Sequence, residues 1–373
     1  MTININAEQL EKDWEALHAI PEPGFQEFQT SAYLRSRLQT LGFELKPIAG
    51  TGILACLRGQ EPGPLVGLRA DMDALQFRNP DGTTSLIHAC GHDAHCAMVL
   101  AAGAFAAQCG VKKGTLYLLF QPAEETICGA SRVIADGVLP KLDALFGMHL
   151  RPRTELPLGA AAAQLLHQAT MPMTVTFLGK EAHGARPQLG INALSAAASC
   201  IAAVDALRLD TACSYSAKAT DCTCYDNSHN VIPARCTVRF DLRAQTNALA
   251  QTLIDRVRAL AEAAAKAVGC GVEISQIRGY AAEYDPALVR ICEQAITQTF
   301  GCVAPPLHTL GSEDFHAYHM EYGIPTAYMG LGADLVPGLH DRDMRFDHSC
   351  MLPGAQILFR CAAGLLQMET QSD

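Results

Sequence analysis

The sequence predicts an α/β protein whose main domain is interrupted by a smaller, inserted α+β unit. The chain has 373 residues, which is longer than a single hydrophobic core usually supports. Apolar segments are continuous up to about Ala162, alternate with polar residues from about Thr170, and become continuous again after about Glu283. We therefore expect the main domain at 1–167 and 282–373, with the inserted unit at 168–281.

The first part of the main domain alternates helices with apolar strands. The pattern predicts helices over 8–19 and 31–41, and two more in "HCAMVLAAGAFAAQ" and "ASRVIADG". It predicts buried strands in "LVGLRADMD", "GTLYLLFQ" and "DALFGMHL", and a further one after the insertion in "PTAYMGLG". Strands that are apolar throughout and separated by helices are typical of a mostly parallel sheet covered by helices.

The strands of the inserted unit are apolar on one face only. Alternation is visible in "MTVTFLG", in "RCTVRFDLRA" and in "VEISQIRGY". Two helices lie between them, "NALSAAASCIAAVDAL" and "NALAQTLIDRVRALAEAAAKAVG", the second of which ends at a glycine, a common helix stop. This order predicts one open sheet with helices on one side.

Charge and hydropathy exclude several classes of partner. The net charge is −10 and no Lys/Arg run stands out, so a nucleic acid or an anionic membrane is not expected as a partner. The N-terminal "MTININAEQLEKDW" has no cationic region followed by an apolar run, so no secretory signal is expected. We also identify no apolar stretch of the roughly 18 residues that a membrane-spanning helix needs. A cytoplasmic protein is therefore predicted.

The fifteen cysteines are odd in number and scattered, which favours reduced thiols over a disulfide framework. Most lie in apolar helical patterns, where a thiol acts as a small hydrophobic side chain: Cys109, Cys200, Cys292 and Cys361. The "CTC" segment, Cys222 to Cys224, lies in a polar stretch without a partnering cluster. We expect it to bind nothing.

Residues able to bind a metal ion stand at the polar ends of several apolar segments. They are Asp71 and Asp73, Cys90 and His92, the adjacent Glu124 and Glu125, His149, and far downstream His340. In α/β sheets, functional groups gather where strands end and loops begin. Taken singly, each has a simpler interpretation, such as a core histidine or acidic residues at a helix start. Their repeated occurrence at the same kind of place favours one shared site.

The residue types suit a two-metal hydrolytic site. Two divalent ions about 3.5–4 Å apart can hold a hydroxide and polarise a carbonyl. Zinc-like ions accept thiolate, imidazole and carboxylate ligands. One of two adjacent glutamates can bind a metal while the other stays off it and moves protons.

A different mechanism remains open from the residues alone. Cys90 could be a nucleophile that His92 or His149 activates. That hypothesis explains the Cys-x-His spacing, but it leaves Glu125 and His340 without a role.

Between about residues 15 and 350, the chain contains several short motifs that are informative when taken together. In order, they are "HACGHDAH", "QPAEE", "GMHL", "GKEAHGARPQLGINA", "NVIPA", "DLRAQTN", "GSEDF" and "GLHDRD". Together they resemble the metal-dependent N-acyl amino acid amidohydrolases, which include hippurate hydrolase, indole-acetyl amino acid hydrolases and aminoacylases. Within that group, the "EAHGARP" segment and the short chain are most similar to a bacterial amidohydrolase.

The resemblance implies a catalytic domain and an inserted lid domain that also forms a homodimer. It implies two divalent metal ions per subunit, for which Zn, Mn, Ni and Co are all suited to such ligands. Carried over by motif position, the metal ligands would be Cys90, which bridges, with His92, Glu125, His149 and His340. Glu124 would be the base that activates water, and Asp71 a carboxylate that orients a ligand histidine.

The lid motifs imply substrate-binding residues. His183 would reach the site from the neighbouring subunit and stabilise the oxyanion, a role typically worth about 10²–10³ in rate. Asn230 and Arg243 would bind the free carboxylate of the substrate, since an arginine fork matches that anion. Without the resemblance, the simplest interpretation of Arg243 is a positively charged side chain exposed on a strand. Glu313, in "GSEDF", would lie near the active site.

The resemblance therefore implies a cytoplasmic, dimeric hydrolase of small N-acyl amino acids. The amide would be cleaved to a carboxylic acid and a free amino acid, with hippurate-, acetyl- or indole-acetyl-type conjugates as substrates. A dipeptidase or aminopeptidase of the same metallopeptidase group is the nearest alternative, because its water chemistry would be identical. The Cys90-nucleophile amidase and a non-catalytic binding protein are further alternatives.

Overall fold

The structure is a computed structural model that describes residues 3–224 and 229–368. The packing of the Cα atoms divides the chain into two units. We call Met1–Leu166, Glu283–Thr309 and Glu313–Asp373 the first unit, and His167–Ala282 with Leu310–Ser312 the second unit. Leu310–Ser312, His167 and Ala282 thus group with the inserted chain, whereas the sequence predicts them in the main domain. The functional division into catalytic domain and lid stays a prediction.

The first unit is built on a seven-stranded sheet. The third to sixth strands in its spatial order are parallel to one another. In spatial order, its strands are Glu44–Ile48, Gly52–Arg58, Lys113–Gln121, Glu61–Asp71, Ala144–Pro152, Thr326–Leu335 and Ala161–Ala162. The first two strands and the last pair antiparallel to their neighbours. The predicted fold class, a mostly parallel mixed sheet with helices, is confirmed.

Helices pack around this sheet and complete its core. Their bounds are Ala7–His18, Phe28–Thr40, His92–Cys109, Gly129–Ala135, Pro286–Phe300, Ala317–Met320 and Met351–Leu366, with 3-10 turns at Glu124–Thr126, Asp314–His316 and His348–Cys350. The helix His92–Cys109 is buried along most of its length and packs against the helices Ala7–His18 and Met351–Leu366. Two short ladders complete the unit: Leu75–Arg78 with Thr84–Ile87, and Leu165–Leu166 with Leu307–His308.

The expectation that no apolar stretch reaches the length of a membrane span is wrong for one segment. The helical stretch His348–Leu366 has 19 residues with a mean hydropathy of 1.3, so it passes that test by length and composition. However, 61% of it is buried inside the protein, where it packs against the helices His92–Cys109 and Pro286–Phe300. Its apolar character is explained by its place in the core of the first unit.

The second unit is a five-stranded antiparallel sheet with two helices against it. Its strands are Ala169–Thr170, Met173–Leu178, Tyr215–Cys224, Arg235–Ala244 and Gly271–Gln276, and its helices are Ala193–Asp205 and Asn247–Val268. A small ladder, Ala182–His183 with Val231–Ile232, and a 3-10 turn at Pro187–Leu189 lie beside them. Both helices begin at side-chain caps, Asn192 and Thr246.

Of the strands with five or more residues, three were not predicted from the sequence. Tyr215–Cys224 is exposed at half of its residues and fully buried at only one, so it lacks the apolar alternation by which a half-buried strand is recognised. Glu44–Ile48 is likewise exposed on most of its residues, and Gly52–Arg58 is a short apolar run. A short apolar run without a period cannot be assigned to strand or helix by pattern alone.

Candidate metal centre

The predicted metal ligands come from separate elements of the first unit. His92 begins the helix His92–Cys109, and Cys90 lies two residues before it. Glu125 lies in the 3-10 turn Glu124–Thr126, which follows the strand Lys113–Gln121, and His149 lies within the strand Ala144–Pro152. His340 comes from the turn after the strand Thr326–Leu335, with a φ of +64° that is unusual for a residue with a side chain. Its backbone N–H donates to the carbonyl of Ala89 at 2.7 Å, which fixes this turn beside the "HACGH" segment.

Two groups of three potential ligands share one sulfur atom. Cys90, His92 and His149 form one group, and Cys90, Glu125 and His340 form the other, with the ligand atoms of each group within 4.8 Å of one another. The Cys90 Sγ lies 3.4 Å from Nε2 of His149 and 3.4 Å from Nε2 of His340. Cys90 therefore belongs to both groups, and its sulfur would be available to either of two ions held there.

The donor atoms of these groups fit a pair of metal ions. Among the described residues, Nε2 of His92 and Oε1 of Glu125 are buried and make no hydrogen bond. Buried polar atoms are otherwise almost always paired, so atoms left unpaired at the centre of a donor cluster indicate a ligand. Thiolate, imidazole and carboxylate are the donors that zinc-like ions accept.

Of the predicted ligand histidines, His149 is hydrogen-bonded through its far ring nitrogen, and His92 faces a carboxylate there. Nδ1 of His149 donates to the backbone carbonyl of Leu150 at 2.7 Å, which leaves Nε2 to face Cys90. Nδ1 of His92 faces Oδ1 of Asp73 at 3.4 Å without making a hydrogen bond. A hydrogen bond such as that of His149 fixes the tautomer and orientation of a metal-binding histidine.

Asp73 has a larger role than the sequence analysis gave it. Its two carboxylate oxygens accept the backbone N–H groups of Glu124 and Glu125, each at 3.0 Å. One buried side chain therefore positions both glutamates and faces the ring of His92. The signal in the sequence was the second acid of "DMD", two residues beyond Asp71, which the strand pattern places on the same side.

Asp71 lies close to His92 but bonds elsewhere. Its Oδ1 accepts from Nδ1 of His95 at 2.7 Å and its Oδ2 accepts from Arg69 at 2.7 Å, whereas Nε2 of His92 is 3.7 Å away. Nε2 of His95 accepts the backbone N–H of Leu150 at 3.1 Å, so the ring proton is on Nδ1. That Asp71 orients a metal-binding histidine stays a prediction; the histidine it holds directly is His95.

Glu124 is buried beside both ligand groups. Its carboxylate lies 3.8 Å from Nε2 of His92, and its ligand atoms also lie within 4.8 Å of those of Glu313 and Asp314. Burial raises the pKa of Glu124 well above its ordinary value, and the neighbouring charge of Glu313 adds to this effect. A carboxyl group of raised proton affinity is suited to take a proton from water and return it.

The thiol of Cys90 is poorly suited to act as a nucleophile by itself. Burial raises its pKa to about 12, and the negative charge of Glu125 contributes in the same direction. Little thiolate would therefore be present at neutral pH, whereas a metal ion deprotonates a coordinating thiol. This favours the ligand interpretation over the nucleophile hypothesis.

Behind Glu124 lies a buried ion-pair network that the sequence analysis did not identify. The guanidinium of Arg69 is 1% exposed and pairs with Asp71, Glu313 and Asp314 at 2.7, 3.0 and 3.1 Å. Tyr328 donates to Glu313 at 2.6 Å. Glu313 is therefore occupied by its own partners, and contact with substrate is not needed to explain its burial.

His183 lies on the strand Ala182–His183 of the second unit, and Asn230 directly precedes the partner strand Val231–Ile232. Both are exposed. Nδ1 of His183 accepts the backbone N–H of Ala185 at 3.1 Å, so a neutral ring carries its proton on Nε2 and presents a donor. The carbonyl of Asn230 accepts the N–H of Gly184 at 2.7 Å, which holds the two predicted residues next to each other along the chain fold.

Arg243 lies on the strand Arg235–Ala244 and is 37% exposed. Its Nε donates to Asp241 at 3.0 Å, and its Nη1 donates to the carbonyl of Leu310 at 2.9 Å. The guanidinium is thus oriented by the second unit itself. Its part in binding a substrate carboxylate stays a prediction.

Ligand groups that share a sulfur, with a buried carboxyl beside them, are typical of hydrolases that act through paired metal ions. This is the class that the fold and the site define together. Residues 67–363 match the peptidase family M20/M25/M40, and the chain belongs to that family.

Named relatives support this assignment over most of the chain. N-acetyl-L-cysteine deacetylase of Bacillus subtilis (strain 168) is 29% identical over 95% of this chain and 88% of its own length. IAA-amino acid hydrolase ILR1-like 6 of Arabidopsis thaliana is 30% identical over 88% of this chain and 72% of its own length. Hippurate hydrolase of Campylobacter jejuni is 27% identical, covering 72% of this chain and 73% of its own.

A solved structure of the same family has the same fold. A dinuclear metal-binding peptidase of the M20 family from Bacillus subtilis superposes with a TM-score of 0.78 at 26% identity, covering 97% of this chain and 99% of its own. The protein is therefore a metal-dependent hydrolase with a two-metal site. The particular likeness to one bacterial amidohydrolase of the group stays a prediction.

Proposed function

We propose that the protein hydrolyses the amide bond of an N-acyl amino acid and releases a carboxylic acid and a free amino acid. The observation that carries the proposal is Glu124, a buried carboxyl beside two ligand groups that share Cys90. The names of the relatives support the substrate class, because a deacetylase of N-acetylcysteine, an IAA-amino acid hydrolase and hippurate hydrolase all act on amino acid conjugates.

In the proposed reaction, Glu124 takes the proton of the attacking water. When bound, the two ions would be held by Cys90, His92, Glu125, His149 and His340, and they would supply charge that polarises the carbonyl and acidifies water. Glu124 then passes the proton to the amine nitrogen as the C–N bond breaks, acting first as base and then as acid. Asp73 keeps the backbone of Glu124 in place through both steps.

The second unit would contribute the remaining contacts. His183, whose Nε2 presents a donor, would hydrogen-bond the oxygen on which negative charge develops, supplied from the neighbouring subunit of a homodimer. Arg243 and Asn230 would bind the free carboxylate of the amino acid. A thiol ligand such as Cys90 must stay reduced, which fits the cytoplasmic location that we propose.

A panel of small amides tests this function. Purified protein is incubated with hippurate, N-acetyl amino acids, an indole-acetyl amino acid and two dipeptides, each with and without chelator and with divalent metal added back. Release of the free amino acid is measured. We expect hydrolysis of N-acyl amino acids that chelator abolishes and added metal restores.

The other outcomes separate the alternatives. Turnover that resists chelation would exclude the two-metal mechanism and favour Cys90 as nucleophile. Hydrolysis confined to the dipeptides would replace the proposed substrate class with that of a dipeptidase. No turnover of any panel member by metal-loaded protein would contradict the proposal as stated.

A further inference from the structure

Three cysteines of the second unit meet across two neighbouring strands. The strand Tyr215–Cys224 pairs antiparallel with the strand Arg235–Ala244, and in this register Cys224 lies directly opposite Cys236. The Sγ atoms of Cys224 and Cys236 are 2.7 Å apart, and those of Cys222 and Cys236 are 3.7 Å apart. The expectation that the "CTC" segment has no partnering cysteine is therefore wrong, because strand pairing brings Cys236 to it from twelve residues away.

The three thiols differ in their access to solvent. Cys236 is fully buried and belongs to the core of the second unit, Cys224 is partly buried, and Cys222 is exposed. Cys222 and Cys224 are two residues apart on one strand, so their side chains lie on the same face. Cys236 therefore neighbours two thiols, that of Cys222, which is exposed to solvent, and that of Cys224, which is partly buried.

The backbone geometry suits a cross-strand bond. Cys224 and Cys236 are directly opposite, and such residues have Cβ atoms about 4.5–5.5 Å apart, while a disulfide needs about 3.5–4.5 Å, so a small approach of the strands is sufficient for this pair. Cys222 is opposite Val238 and therefore diagonal to Cys236, which it reaches through its side chain, with the Sγ atoms 3.7 Å apart. All fifteen cysteines are free thiols in the structure. In a reducing compartment, disulfides are usually transient and are found at catalytic or redox-sensing sites.

We propose that Cys222, Cys224 and Cys236 form a thiol–disulfide exchange site that reacts with low-molecular-weight disulfides. The thiolate of Cys222 attacks one sulfur of the small disulfide, forms a mixed disulfide and releases one small thiol. Cys236 then loses its proton and attacks the sulfur of Cys222, and the second small thiol leaves. The product is a disulfide between Cys222 and Cys236, which Cys224 can take over by attacking Cys236 and freeing Cys222.

The order of the two steps follows from exposure. Burial raises the pKa of the Cys236 thiol, and the hydrogen bonds with Cys224 and Cys222 add to this effect. Cys236 is also shielded from solvent, so Cys222 is the thiol that meets the oxidant first. The site adds no group to the candidate metal centre, and it does not depend on the proposed hydrolytic activity.

A second pair of cysteines provides an internal comparison. The Sγ atoms of Cys292 and Cys361 are 4.0 Å apart, but both residues are fully buried between helices of the first unit. No exposed thiol adjoins that pair in the described contacts. We expect it to stay reduced under the conditions that oxidise the three-cysteine site.

Mass spectrometry of the whole protein tests the proposal. The protein is treated with glutathione disulfide at neutral pH, free thiols are blocked, and peptides are mapped without reduction. We expect a peptide linked between Cys236 and either Cys222 or Cys224, with loss of two hydrogens and no retained glutathione, and we expect dithiothreitol to reverse it. A Cys236 peptide that stays fully reduced while Cys222 carries glutathione would overturn the proposal.

Variants make the test independent of any one substitution. C236S removes the shared partner, so glutathione should remain attached at Cys222 and no linked peptide should form. C222S changes an exposed position, and we expect it to slow formation of the linked peptide at least tenfold. C213S, a cysteine of the same unit outside the cluster, should react as the wild type does; equal rates for C222S and C213S would contradict the assigned entry thiol.

Discussion

Most of the predicted metal ligands are held differently from the predicted substrate-binding residues; the exception is His340, whose side chain is 54% exposed. In the first unit, Cys90 and His149 are 6% and 5% exposed, and the groups around them are fixed by hydrogen bonds that the carboxylate of Asp73 and the carbonyl of Leu150 accept. In the second unit, His183 and Asn230 are exposed, and their support comes from short backbone contacts.

This difference separates two tasks. Metal ions need donors whose positions are set before the ion arrives, because a misplaced donor reduces both affinity and reactivity. A substrate that enters and leaves needs side chains that solvent can reach. We therefore expect changes in the first unit to lower kcat, metal content or stability, and changes at Asn230 and Arg243 in the second unit to act mainly on KM.

The largest effect is expected for Glu124→Gln. The amide has the same shape but cannot accept the proton of water, and general bases typically contribute about 10²–10⁴-fold to the rate. We expect kcat to fall by that factor while metal content, measured by elemental analysis, stays at the wild-type level.

Glu125→Gln is the matched comparison for that variant. It changes the neighbouring carboxylate, which is a predicted ligand, so here metal content should fall together with kcat. If both variants lost metal equally, or if Glu124→Gln kept the wild-type rate, the division of roles between the two glutamates would be wrong.

The next largest effect concerns stability. Arg69→Met removes the only guanidinium that pairs with Asp71, Glu313 and Asp314 among their described contacts. Removing one partner of a buried ion pair typically costs about 3–5 kcal/mol, because the remaining charges stay buried. The midpoint of denaturant-induced unfolding should fall strongly, and wild-type stability would contradict the importance of this network.

Arg58→Met gives the control for that measurement. The ion pair of Arg58 with Glu44 lies at the surface, with side chains 63% and 64% exposed. Pairs of this kind contribute about 0–1 kcal/mol, so unfolding of this variant should be close to that of the wild type.

Much of the fold could be predicted because its signals are local. The strand Ala144–Pro152 is buried at every position and the long helix Asn247–Val268 has a clear apolar face, so both are visible as patterns in the sequence. The exposed strand Tyr215–Cys224 could not be found in this way. It is specified by pairing with Arg235–Ala244, and pairing between distant segments leaves no local period.

The candidate site shows the same limit. The polar ends of apolar segments indicated Cys90, Glu125 and His149, because residue type and position along a strand are both local properties. The network of Arg69 was missed, since an arginine in the middle of an apolar strand gives no sign of the distant carboxylates that neutralise it. The role of Asp73 was missed for a similar reason, as it depends on the backbone of residues about fifty positions away.

Asp73→Asn tests whether this positioning matters for metal binding. The amide nitrogen cannot accept a hydrogen bond, so one of the two backbone N–H groups, of Glu124 or Glu125, loses its partner. Substitution of groups that orient ligands typically costs about 10–100-fold in metal affinity or activity. We expect the metal concentration for half-maximal activity to rise by that factor.

Asp81→Asn is the corresponding control. Asp81 also accepts a backbone N–H, from Thr83 at 2.9 Å, but it lies in an exposed turn. Metal affinity should not change there. An unchanged metal requirement in Asp73→Asn would mean that the glutamates are held in place without this carboxylate.

The smallest effect is expected in the second unit, for Arg243→Lys. Lysine keeps the charge but loses the planar fork that matches a carboxylate. Hydrogen bonds to charged groups contribute about 1.5–3 kcal/mol, so loss of one of them should raise KM by roughly tenfold or more, with kcat and metal content unchanged. The same variant should show no change for an N-acyl amino acid amide, which has no free carboxylate.

Arg239→Lys decides whether that change is specific. Arg239 lies on the same strand four residues earlier, with a side chain that is 70% exposed, so its conversion to lysine should leave KM at the wild-type value. If the two variants raised KM equally, the effect would be one of general charge on this strand. If only Arg243→Lys raised KM, and only for substrates with a free carboxylate, residues of the second unit would be the part of the molecule that selects the substrate.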